Sequence, residues 1–215
     1  MENDRQAGAL LLSQLKLVNE ATVYFETVIY PAVYKGIYTC INDFVRESGW
    51  IGEISAYEDN EDYLWLAPRK WKCTEQQDNN CKQWFESVET ENNEDDYTLA
   101  VMTGVAVQPG EWGFKTCLNM GEFGGSRKAG AAIKCIDSDY IRRLEKLGFR
   151  PLNKGEFFLP VKLDLELLRA AWVAHGAFSA QDDAFAPLRS ALITLQAAIP
   201  ILDEFIEALA SQTAS

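Results

Sequence analysis

Between residues 185 and 209 apolar side chains recur in alternating steps of three and four: Phe185, Leu188, Leu192, Leu195, Ile199, Leu202, Ile206 and Leu209. That spacing is the stripe of an α-helix with one face turned toward a core. A helix this long with so continuous a stripe must bury it against another element, which restricts the chain to layered, helix-containing folds. A second stripe stands at the other end. Leu11, Leu15, Val18, Thr22, Phe25 and Ile29 keep the same spacing, and Val33, Ile37, Ile41 and Phe44 resume it beyond Pro31. Residues 5–49 are therefore expected to be helical, kinked or divided at Pro31 and stopped at Gly49. Pro187 and Pro200 should begin or bend the last helix.

The middle of the chain changes to a β pattern. Residues 63–67 and 85–90 are strand-like, with the polar loop 74–80 between them. Residues 97–107 are rich in β-branched and aromatic side chains, and Gln108-Pro109-Gly110-Glu111 separates them from residues 112–118. Proline followed by glycine suits a type II turn, so a tight hairpin with positive φ at Gly110 is expected. On its first strand Leu99, Val101, Val105 and Val107 would share one face, and the small Ala100, Gly104 and Ala106 the other. After the glycine-rich loop 121–130 come a short strand over 131–136 and a short helix capped by Asp137 or Ser138 and closed by Gly148. Residues 157–163 read as extended. Asp164 caps a helix that ends at His175 and Gly176.

These pieces predict an α+β fold: an antiparallel sheet in the middle of the chain, covered by long N- and C-terminal helices that pack on each other. One domain over 1–215 is expected, helical over 1–49, mainly β with one short helix over 50–163, and helical over 164–215. The stripe from Leu11 to Ile29 should lie antiparallel against the one from Leu188 to Leu209.

The N-terminus is acidic rather than basic, so no signal peptide is expected. Apolar runs are broken by Lys16, Glu20, Glu26 and Lys35, or are short, as over 191–202, so no membrane segment is expected either. A soluble cytoplasmic protein follows, with its five cysteines reduced. Their spacing fits no zinc pattern, and Cys73 and Cys81 are the only pair placed to face each other across a hairpin.

Catalytic signals are sparse. Ser-His-Asp or Cys-His chemistry needs a histidine, and the chain has only His175, at an expected helix C-terminus that favours a cation. The 121–130 loop lacks the Gly-Lys-Ser/Thr triplet of a P-loop and the spacing of a dinucleotide fingerprint. A nuclease core of the PD-(D/E)-x-K type would find its lysine in Lys115, but Gly113 stands where its carboxylate belongs. Acidic clusters are plentiful without the spacing of a calcium loop. Neither a cofactor nor a metal is expected, and Trp65, Trp71 and Trp84 read as core. No motif is specific enough to place the chain in a family.

Charge is the feature that bears on function. The net charge is −12, and residues 53–96 hold 13 acidic against 4 basic side chains, whereas 127–154 hold 8 basic against 3 acidic. The overall field opposes nonspecific binding to nucleic acid or an anionic membrane. The first reading is a non-catalytic protein-interaction module, an inhibitor or immunity-type factor that binds a basic protein partner. Its acidic face would comprise Glu58, Asp59, Glu61, Asp62, Glu94, Asp95 and Asp96, and in its sharpest form these carboxylates imitate DNA phosphates. The alternative is an enzyme or ligand-binding domain for an anionic small molecule or nucleic acid. It would use Arg127, Lys128, Arg142, Arg143, Lys146 and Arg150.

Overall fold

The computed structural model describes residues 2–54, 64–73, 80–90, 96–136 and 139–214. The chain starts with α1 (Glu2–Ser13) and α2 (Leu15–Tyr24), nearly continuous across Gln14, and then a single wide π turn over Phe25–Ile29. α3 (Tyr30–Ser48) follows, with Pro31 in its first turn. Pro31 has no N–H to give and its ring would press on the carbonyl four residues earlier, so the helix widens there instead of breaking. Gly49 ends α3 in a left-handed conformation, as expected.

The strands are β1 (Ile51–Ile54), β2 (Leu64–Ala67), β3 (Gln83–Thr90), β4 (Glu111–Leu118), β5 (Arg150–Pro151) and β6 (Phe157–Val161). They form one antiparallel sheet in the order β1-β2-β3-β4-β6-β5. Between them lie α4 (Thr98–Thr103), α5 (Ser126–Ile133) and α6 (Asp139–Glu145). The chain closes with α7 (Leu165–His175) and α8 (Ala186–Thr213). The α+β architecture read from the sequence is present, and helices from both ends pack together.

α3 and α8 make that junction. α3 buries Tyr30, Val33, Ile37, Cys40 and Ile41, while α8 buries Leu188, Leu192, Leu195, Leu202 and Leu209, the stripe that the periodicity marks out. Gly36 permits the close approach, because a Cβ there would lie 2.4 Å from the ring of Phe185. On the sheet Phe85 and Phe114 point into the core, where Trp50 stacks on Phe85 at 5.7 Å between ring centroids. Trp71 is buried and donates its indole N–H to Asp203 of α8 at 2.7 Å, and Lys70 pairs with the same carboxylate. Trp65 is likewise buried and Trp84 half-buried, as core side chains rather than a stacking surface. Asp164 caps α7 by accepting from the N–H groups of Glu166 and Leu167 at 2.8 and 3.2 Å.

Four expectations require correction. The stripe from Leu11 to Ile29 does not lie against α8: Leu11, Leu15 and Val18 are exposed, and α2 has no buried residue. Residues 97–107 do not form a strand. Leu99, Met102 and Thr103 share the buried side of one helical turn pair, α4, and Gly104 ends it at φ 71°. Because β propensity mostly reflects burial on a pleated face, the β-branched residues carry no strand where a helical face meets the core better. The Pro109-Gly110 hairpin is accordingly absent, Gly110 not being among the positive-φ glycines, and β4 pairs with β3 and β6. Lastly, residues 126–133 are helix rather than loop and strand, and Ala129 and Ala132 bury their small faces. The caps expected at Asp137 and Ser138 and most of the 74–80 loop lie outside the described residues.

By length and composition Asp183–Thr213 is apolar enough to cross a membrane, with 50% of its most apolar window buried inside the fold. Taken alone the 191–202 run is too short for that, but α8 continues on both sides of it and runs through Pro200.

Candidate functional site

The N-terminal arm is the most unusual surface of the molecule. Leu10, Leu11, Leu12, Leu15 and Leu17 are all exposed, Leu12 to 72%, and Val18, Val23 and Tyr24 continue the apolar surface toward the body. Residues 5–24 hold only three charged side chains, Arg5, Lys16 and Glu20, and the last two pair with each other at 3.8 Å. At its foot the arm is clamped to the body. The Phe25 ring meets Tyr97 edge-on at 5.0 Å, and the Tyr97 hydroxyl donates to Glu26 at 2.6 Å.

That clamp brings the arm to the end of the acidic segment. Asp96, next to Tyr97, accepts from the N–H groups of Val107 and Gln108 at 3.0 and 3.1 Å, so it braces the loop after α4. Glu58, Asp59, Glu61, Asp62, Glu94 and Asp95 lie outside the described residues. Of the remaining carboxylates, Glu53 accepts from the Trp65 indole, and Glu86 pairs with Lys115 at 3.8 Å. Glu86 also accepts from the Cys117 thiol at 3.0 Å. Burial, together with that hydrogen bond, pushes the Cys117 thiol far above its ordinary range, which leaves it a poor nucleophile. Glu89 lines a cavity of about 420 Å³ between α3 and the sheet, with Tyr34, Tyr38 and Trp112.

The basic segment divides in two. Arg143 forks onto Glu204 of α8 at 2.5 and 3.0 Å and holds that carboxyl below its usual range, while Arg142 sits 3.5 Å from Asp139. Arg150 pairs with Glu111 and covers the Phe158 ring at 5.1 Å. Lys128 and Lys146 are exposed. Arg127 lines a cavity of about 650 Å³ together with Lys134 and Lys154, two cations that the sequence reading did not single out. No pattern in the sequence joins them, because they come from two ends of α5 and from the turn before β6.

Gly113 is where it is for a packing reason: a Cβ would stand 2.1 Å from the Leu159 carbonyl oxygen across the β4–β6 pairing. No carboxylate fits there, so Lys115 has no nuclease partner at that position. His175 is exposed in the last turn of α7. Cys73 and Cys81 are not joined by a disulfide. Among the described residues no group of three His, Cys, Asp or Glu side chains converges to hold a metal ion. Comparison of the chain with protein-family models, curated proteins and solved structures finds no match.

Proposed function

We propose that the protein is a non-catalytic interaction module that grips a basic protein partner, with the helical arm as the contact surface and the acidic segment as the steering field. The observation that carries this reading is the arm itself: a run of exposed leucines, fixed to the body at Tyr97, beside the end of the acidic segment. Apolar surface of this kind on a protein marks a contact site, because its burial on association releases ordered water and favours binding. Surface carboxylates add little stability but accelerate encounter with an oppositely charged surface. The net charge of −12 disfavours a second copy as the occupant, since two such molecules repel. A DNA-binding protein is the sharpest form of the partner, its basic groove meeting carboxylates in place of phosphates.

The test compares three forms of the chain in pull-downs from native cytoplasm: wild type, an arm variant (Leu11→Ser, Leu12→Ser, Leu15→Ser) and a charge variant (Glu58, Asp59, Glu61 and Asp62 each to Lys). The expected outcome is a basic protein recovered by wild type, lost with the arm variant, and recovered more slowly and with weaker salt dependence by the charge variant. Equal recovery by all three would refute the reading.

A further inference from the structure

Three cations of the 127–154 segment that make no ion pair among the described residues line one hollow, and a smaller cavity shares four lining residues with it. The larger, of about 650 Å³, is lined by Arg127 at the start of α5, Lys134 just past its end, and Lys154 in the turn before β6. None of the three makes an ion pair among the described residues, unlike Arg142, Arg143 and Arg150. Ser126, Asn153 and Glu156 complete the polar lining. The smaller cavity, of about 210 Å³, adjoins the first and shares Ile133, Asn153, Lys154 and Glu156 with it. Its walls are aromatic and apolar: Tyr140, Phe157 and Phe205, whose rings meet edge-on at 6.1 and 6.3 Å.

Each cavity selects one half of a ligand. Three cations facing a single lining carboxylate favour an anion with several oxygens, and such cavities fall in the size range of small-molecule sites. The smaller cavity, with the half-buried Tyr140 beside the buried edges of Phe157 and Phe205, favours a flat, weakly polar group packed against Tyr140. Asn153 and Glu156, at the boundary, offer a donor and acceptors to the hydroxyls of a sugar or to a ring amine. We infer that these adjoining cavities are a binding site for a nucleoside phosphate, with the phosphates among Arg127, Lys134 and Lys154 and the base in the smaller cavity of Tyr140, Phe157 and Phe205. The inference is independent of the arm and of any protein partner. Within the negatively charged molecule the 127–154 segment holds 8 basic against 3 acidic side chains, so its local field favours an anion.

Lys154 gives the sharpest test. It is the one described non-glycine residue with positive φ, at 62°, in a turn closed by the Leu152 N–H donating to the Glu156 carbonyl at 2.8 Å. Glycine suits that conformation better than lysine, so Lys154→Gly removes a cation without disturbing the fold and should raise the melting temperature. The experiment titrates wild type, Lys154→Gly and Arg127→Gln/Lys134→Gln with ATP, GTP, AMP and inorganic phosphate by calorimetry. Melting curves of the same samples check the fold. The expected result is saturable binding of at least one nucleotide by wild type, weaker by about tenfold to a hundredfold for each cation removed, with inorganic phosphate binding far more weakly. Absence of nucleotide binding by wild type overturns the inference, as does undiminished binding by Lys154→Gly. Equal affinity for inorganic phosphate and nucleotide overturns the assignment of the smaller cavity.

Discussion

Leu195 has 0% of its surface exposed, in the middle of the α8 stripe. Leu195→Ala removes buried methylenes and leaves a cavity, so it is expected to cost about 2–5 kcal/mol by denaturant titration. Leu11→Ala, at a residue 58% exposed, should change stability by less than about 0.5 kcal/mol. A large cost at Leu11 would mean that the arm is packed. The thiols give a second residue-scale check. Cys40, Cys81 and Cys117 are buried, and burial raises the thiols of Cys40 and Cys117, whereas Cys135 is exposed. Disulfide-exchange reagent at mildly alkaline pH should therefore label Cys135 at once, Cys73 more slowly, and the other three only on unfolding. Rapid reaction at Cys117 would contradict its burial against Glu86.

Two helices with the same stripe period have opposite fates. α8 and the arm both carry apolar residues in steps of three and four, yet the first is buried and the second stands out from the body. Periodicity reports that a helix has an apolar face. It does not report which surface covers that face, and for the arm the structure supplies none among the described residues. The α7 cap at Asp164, the stops at Gly49 and Gly176 and the α8 stripe were legible because each depends on a few local residues. The 97–107 segment was misread because its eleven residues satisfy a strand pattern locally, while a distant core chooses the helical face of Leu99 and Met102. The cavity of Arg127, Lys134 and Lys154 was legible only as a basic stretch, since the fold alone separates these three cations from Arg143 and Arg150, which are tied to Glu204 and Glu111. Deleting residues 2–24 should leave the far-ultraviolet spectrum of the body and its unfolding midpoint nearly unchanged, because α2 buries nothing. A collapse of the midpoint would show that the arm belongs to the core.

At the scale of the whole molecule, apolar contact and charge are assigned to different regions: the arm holds few charges, and the 53–96 segment holds most of the excess. Apolar area sets how long a complex lasts, and a charged field sets how quickly it forms. The clamp of Phe25 and Glu26 on Tyr97 places the foot of the arm beside Asp96, the end of that segment. The measurement that tests this most directly is site-specific photocrosslinking inside the native cell, with a benzophenone side chain placed at Leu12, at Leu17, or at Val173, an equally exposed position on α7. The account predicts a covalent adduct to one basic protein from Leu12 and Leu17, none from Val173, and a reduced yield when Glu58, Asp59, Glu61 and Asp62 are reversed in charge. Adducts of equal yield from all three positions, or an adduct only to a second copy of this chain, would contradict it.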